Sequence, residues 1–426
     1  MKDRIKDTLL GFIIGDALGT PFDGMTGGHI HSSFKGIHGY TDPAPALKGK
    51  MERWRMPGLY SSISQMMILL SFHLGAHRRF DGNEFISFVK SIPDISENEY
   101  GIFRHPAQME KSFLKRIIEE SGENIAAVYS YPCARPAAIL IPAALFSRES
   151  DSYQNIFAAC KMFNSDFLSI AGPLIFSRII NSIVENKNTQ PEKLIINSID
   201  IIESLFAEIK NNTSKITGAG INPDALTKAA AEYKIILSAL QSCPDIDSAE
   251  KKICAQVNKN LKTPVTRATV NHPLAIIPFA LFLTAYNADD PGSALFSAAG
   301  EGGSSSVLCA VSGALAGALH GCDALPEILA DNLVNKKRIT AIIDHLTEGK
   351  LNQAVINDFI SSEASLTGKE AEELKAKLKH QKIKIKTKKT RKDKEKELTR
   401  HVVESWTKMD QARWRKKLGR ERDAGE

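Results

Sequence analysis

The chain has 426 residues, 43% hydrophobic and 24% charged, with 28 glycines and 18 prolines. That balance suits a globular protein with a large core, and it excludes disordered, fibrous and disulfide-stapled classes. The net charge of +6 is uneven: from residue 366 onward 21 Lys/Arg face 11 Asp/Glu, so the tail carries +10 and the rest −4.

In chain order, residues 1–19 read as a helix, with Ile5, Leu9, Phe12 and Ile13 at helical spacing and a Gly-Asp-Ala-Leu-Gly ending. Residues 20–58 form a long polar, glycine-rich connection holding Pro21, Pro43, Pro45 and Pro57, a length typical of functional loops. Residues 61–74 read as a buried helix entered through Ser61-Ser62-Ile63-Ser64, with Gly75 as its stop. From 80 to 205 amphipathic helices alternate with proline signals, and 257–272 is a second polar connection. Residues 274–287 and 294–321 are the most buried helical stretches, and 298–306 within the latter reads as a glycine-serine loop. Strand-type alternation is almost absent before residue 380, so the fold class is all-α, with a body over 1–360 and a basic, partly helical or disordered tail over 361–426. Within that tail 380–386 alternates like a short strand or an extended disordered segment. Residues 397–418 read as an amphipathic basic helix holding Trp406 and Trp414.

The termini of the body carry the informative motifs. Gly15-Asp16-Ala17-Leu18-Gly19-Thr20-Pro21 stands at one end, and Gly302-Gly303-Ser304-Ser305-Ser306-Val307 leads into Gly313-Ala314-Leu315-Ala316-Gly317-Ala318 at the other. Serines 304–306 are positioned to cap the helix that follows, and an anion fits such a helix start. Together these motifs, with Gly58-Leu59-Tyr60-Ser61-Ser62-Ile63-Ser64, resemble those of the ADP-ribosylglycohydrolase family over roughly residues 5–330. Asn164-Ser165-Asp166 and the helix beginning at His272-Pro273 add to the resemblance. It implies a compact multi-helix bundle, a two-metal centre held by aspartates, and hydrolysis of ADP-ribosyl bonds.

The ligands that the resemblance requires are missing here. Its metal-binding aspartates correspond to Ser62, Ile63, Ser304 and Ser306, and Val307 replaces a threonine ligand. Hard cations need oxygen ligands, chiefly carboxylates. The resemblance thus points to an inactive relative that binds or scaffolds, with ADP-ribose or a nucleotide as the ligand class. Candidate ligand-binding residues are Ser61, Ser62, Ser64, Gly302, Gly303, Ser304, Ser305, Ser306 and Arg135, with Arg135 and Leu140 both open as the match to the family's arginine. Asp16 is expected to bond loop amides. No cofactor is expected; Mg²⁺ enters only if the chain is a working ADP-ribosyl hydrolase using replacement acids such as Asp23 or Asp42. A third reading places RNA, DNA or a protein partner on residues 366–426.

Other chemistry finds little support. There is no HExxH, His73 and His77 read as a polar helix end, and His29 and His31 as loop residues. The six cysteines show no CxxC pair and read as buried thiols of a reducing compartment. Mixed charge in residues 1–8 and Asp16 after the apolar run argue against a signal peptide, and residues 274–286 are too short for a membrane span. The cytoplasm is the expected location.

Overall fold

Helices make up nearly all of the regular structure. The computed structural model describes residues 1–94, 100–119, 129–147, 152–186, 188–261 and 264–422, with the side chains at 152, 153, 260 and most positions after 382 left undescribed. The first helices are α1 (Lys2–Gly19), α2 (Gly27–Phe34), α3 (Ser62–His77), α4 (Gly82–Lys90) and α5 (Gln108–Glu119). The middle adds α6 (Arg135–Ile139), α7 (Ile141–Phe146), α8 (Ser152–Phe163), α9 (Phe167–Glu185), α10 (Leu194–Asn211), α11 (Thr213–Gly218), α12 (Pro223–Leu240) and α13 (Ile246–Val257). The last are α14 (Pro273–Tyr286), α15 (Pro291–Glu301), α16 (Ser305–His320), α17 (Glu327–Asp331), α18 (Lys336–Glu348) and α19 (Gln353–Arg422). Among the described residues there is no β-strand; Thr26 and Gly302 form an isolated antiparallel bridge.

The chain divides into two compact units. One is the body, Met1–Leu47 with Trp54–Glu370; the other joins Lys48–Arg53 to the chain after Glu370. The body reaches 370 rather than 360 because the first turns of α19 belong to it: Phe359 and Glu363 are 0% exposed and Glu370 4%.

The core of the body is built on a glycine-lined crossing of α1 with α16. Gly11, Gly15 and Gly19 recur every four residues, so they share one face of α1. A Cβ at Gly15 would lie 2.0 Å from the Cys309 carbonyl oxygen, and one at Gly19 2.2 Å from that of Ser305. A Cβ at Gly313 on the facing helix would lie 2.1 Å from the Gly11 oxygen. Backbone meets backbone here, so the end of α1 is held against the start of α16. Around this pair α14 is buried on every side, as its nearly unbroken apolar sequence demands. Helix α9 is long and apolar enough to cross a bilayer, yet 72% of its most apolar window is buried in the body.

Three expectations are corrected. The connection over 20–58 contains a helix, α2, which Thr26 caps by accepting from the His29 amide. The segment 298–301 is helical, the end of α15, so only Gly302, Gly303 and Ser304 separate α15 from α16. Residues 380–386 lie inside α19 rather than in a strand or an extended segment. A helix satisfies its own backbone groups, whereas a lone strand needs a neighbour to pair with.

Candidate functional site

Two carboxylates near the chain start each serve the N-terminus of a helix that lies far away in sequence. Asp16, in the last turn of α1, is 0% exposed. It accepts from the Ser61 amide (2.9 Å) and hydroxyl (2.8 Å), from the Ser64 hydroxyl (2.6 Å) and amide (3.2 Å), and from the Thr20 hydroxyl (3.0 Å). It thereby supplies the free donors of the first turn of α3 with an anion, which the helix dipole favours. The Ser61 hydroxyl also accepts from the Ile63 amide at 3.2 Å, completing the cap.

Asp23 does the same for α16. It accepts from the Ser306 hydroxyl at 2.6 Å and amide at 2.9 Å, and from the Ser305 hydroxyl at 3.4 Å. Ser305 also donates to the Gly19 carbonyl at 2.7 Å. Ser304 occupies the N-cap position but makes no side-chain cap; the Asp23 carboxylate, from the connection between α1 and α2, caps the helix start instead. Burial pushes the Asp23 carboxyl above the usual carboxylate range; the Ser306 hydrogen bonds and the Arg135 charge pull the other way. Asp23 is surrounded by protein yet keeps part of its surface accessible.

The turn before α16 is equally committed. Gly302 and Gly303 adopt φ of +69° and +67°, the left-handed region that glycine alone enters freely. A Cβ at Gly303 would lie 2.2 Å from Thr269 Oγ1. The Gly303 amide donates to Met25 O (2.7 Å), the Ser304 amide to Thr269 O (2.7 Å), and the Gly24 amide to Gly303 O (2.6 Å). The phosphate-type donors suggested by the sequence thus point at protein acceptors.

A buried ion pair fills the space beside Ser62. Arg135, at the start of α6 and 5% exposed, donates through Nε to Glu110 Oε1 at 2.6 Å and through Nη2 to Ser62 Oγ at 3.2 Å. The Ser62 hydroxyl donates onward to Glu110 Oε1 at 3.4 Å. Glu110 is 0% exposed, and its Oε2 has no hydrogen-bond partner among the described residues. Leu140, the other residue open for the arginine match, is buried with the core. Asn271 holds the loop leading to Arg135, its Oδ1 accepting from the Ala134 amide at 3.1 Å. Ser169 Oγ accepts from the Cys133 amide at 2.8 Å. The buried Cys133 thiol is pushed up to about 11 by burial, which disfavours the thiolate. At the outer side of this loop Tyr129 and Tyr131 meet edge to face, centroids 5.7 Å apart, and Tyr131 is 70% exposed.

A two-metal centre does not fit these side chains. Ile63 offers no ligand atom and is fully buried. The hydroxyls of Ser62 and Ser306 are held by Glu110 and Asp23. The local positive charge is already present, as a guanidinium.

Sequence reading missed Glu110, though it leaves a signal: it shares a helical stripe with Phe113, Leu114 and Ile117, where a carboxylate is out of place unless paired. Asp42, named with Asp23 as a replacement acid, accepts from the Ala44 amide and Trp54 Nε1 and so pins its own loop. Asn164 and Asp166 tie the 129–131 loop to the start of α9, through Asn164 Nδ2 to Tyr131 O (2.9 Å) and the Ser169 amide to Asp166 (2.9 Å). Glu84 of α4, absent from the sequence reading, joins His73 and His77 so that their ligand atoms lie within 4.8 Å of one another. His73 Nε2 already accepts from the Asp81 amide at 3.0 Å, which closes the turn between α3 and α4. His29 Nε2 bonds the Ala46 carbonyl (2.5 Å), again loop structure.

The fold and the paired helix starts define an all-α protein of the ADP-ribosylglycohydrolase type. The family model for ADP-ribosylglycohydrolase matches residues 1–355, and the chain belongs to that family. Comparison with solved structures finds similarity to a chain described as "ADP-ribosylglycohydrolase-related protein complex", with TM-score 0.54 and 16% identity, over 82% of this chain and 99% of that one. At that identity the likeness concerns the fold. The comparison with curated proteins found no match.

Proposed function

We propose that this chain is a catalytically silent, metal-independent member of its family that works by binding. The observation carrying this reading is the Arg135–Glu110 pair seated against Ser62, with Ser306 turned to Asp23. A guanidinium is a permanent cation. Held between Glu110 and Ser62, it occupies the place beside Glu110 that a divalent ion would need, so ligand recognition here proceeds without one. ADP-ribose or a nucleotide is the ligand class, and Tyr131 offers its ring an exposed face for stacking. Calorimetry with ADP-ribose tests this: binding is expected to be equal in EDTA and in excess Mg²⁺, and weakened about tenfold or more by Tyr131→Ala. Binding that appears only with Mg²⁺ contradicts it.

One feature favours a second reading, an active hydrolase. The Asp23 carboxyl is raised by burial while the residue stays partly accessible, a setting that suits a general acid. Release of ADP-ribose from a modified protein, abolished in Asp23→Asn, would establish this reading in place of the first.

A further inference from the structure

We propose that the second unit is a nucleic-acid phosphate-binding surface made by two segments far apart in sequence. Between residues 375 and 396 there are twelve Lys/Arg and only two acids, Asp393 and Glu395. The backbone of this stretch is helical throughout. At about 1.5 Å per residue it spans roughly 32 Å, one net positive charge for about every 3 Å. Duplex nucleic acid carries one phosphate charge per about 1.7 Å of axis, so the two densities are of the same order.

The structure adds what the sequence does not show. The loop Lys48–Arg53 lies against this helix, with Gln381 Nε2 donating to the Gly49 carbonyl at 2.7 Å. Lys48 and Lys50 flank that contact and are exposed, as are Lys375, Lys379 and Lys382. Cations separated by more than three hundred positions therefore form one patch. Further along, Lys392, Lys396, Lys408, Arg413 and Lys416 are also exposed.

Charge complementarity selects the partner. On a helix, basic positions 382, 384, 386, 388, 389, 391, 392, 394 and 396 fall at all angles around the axis, and Ile383 and Ile385 are 200° apart. Within 382–396 no apolar stripe runs along the helix with which to enter a bilayer, which an interfacial helix needs; the apolar positions of 397–418 lie beyond this basic block. A partner with charge along its length meets such a rod better than a compact acidic protein does. Lysine contacts to phosphate carry no sequence information, so the contact is expected to be sequence-independent.

The test uses the full chain and a labelled 20-nucleotide oligouridylate and a random 20-base-pair duplex, read by fluorescence anisotropy. Binding is expected to fall about 10²–10³-fold between 50 and 200 mM salt, as five or so phosphate contacts require. Lys379→Glu/Lys382→Glu/Lys386→Glu is expected to weaken binding at least tenfold, with helicity by circular dichroism and the body's Tm unchanged. Lys48→Glu/Lys50→Glu, on the distant loop, is expected to weaken it several-fold. Affinity unchanged by the helix reversals overturns the proposal. An effect of the helix reversals with none from Lys48 and Lys50 overturns the joint surface. Tighter capture by phosphatidylserine vesicles, or by polyglutamate, than by either oligonucleotide assigns the patch to another partner and overturns it as well.

Discussion

Glu110 and Arg135 are each affordable in the core only because of the other. Removing one partner of a buried pair leaves an uncompensated charge, a loss of about 3–5 kcal/mol. Glu110→Ala is therefore expected to lower unfolding stability in urea by that amount, and Glu110→Gln, which keeps a hydrogen-bonding oxygen, by less. Asp16 serves five donors, so Asp16→Ala is expected to cost about 3 kcal/mol or more. Buried histidines set the pH response. Burial lowers His73 and His272 to about 4, and lowers His105 as well despite its hydrogen bond to Glu370. A depressed folded value means their stabilising contribution is complete above the unfolded value of about 6.5 and is lost as pH falls toward 4. Asp23, raised by burial, has the opposite sign and regains stability as pH falls. With two histidines at about 3 kcal/mol each, the acid side loses on balance. Urea midpoints should thus decline between pH 6.5 and 4; a flat profile would contradict buried neutral imidazoles.

At the scale of elements, the α1–α16 crossing sets where both capping aspartates fall. Gly15→Ala drives a methyl into the Cys309 carbonyl and is expected to cost more than about 3 kcal/mol or prevent folding. Gly28→Ala, with nothing within 4 Å, is expected to change stability by under about 1 kcal/mol in either direction. The helices of this frame were legible in the sequence, because apolar stretches with polar flanks are local patterns, whereas the shared face of Gly11, Gly15 and Gly19 emerges from the crossing itself. The capping scheme was only half legible. Asp16 reads as a residue that bonds amides, but that Asp23 rather than Ser304 caps α16 depends on a loop meeting a helix 283 residues later. Arg135 was named from the sequence but Glu110 was missed, because the pairing of residues 25 positions apart on different helices is set by the fold. The 380–386 alternation misled because period two in lysines carries no burial information: strand patterns are persuasive only when the alternating side is covered.

Across the whole molecule, the start of α19 is part of the body although it lies past the family match. Glu363, 0% exposed, pairs with Arg104 at 2.6 Å and accepts from Gln65 (2.7 Å) and Tyr60 (2.5 Å). Glu370 accepts from the Met56 amide at 2.9 Å and meets His105 at 2.8 Å. Truncation after residue 352 strands Arg104 without its carboxylate and is expected to give insoluble or unfolded protein. Truncation after residue 372 is expected to leave the body's thermal transition within a few degrees of the full chain. The two carboxylates look like ordinary helix-surface acids in sequence, and only their burial reveals the attachment.

The central claim is that the protein's own guanidinium and carboxylates fill a centre that the family resemblance assigns to divalent metal. Calorimetric titration of the purified chain with Mg²⁺ and Mn²⁺ tests it most directly. We predict no saturable uptake at millimolar metal and no shift of the Tm. Two equivalents bound at micromolar concentration, with release of ADP-ribose from a modified protein, would contradict it.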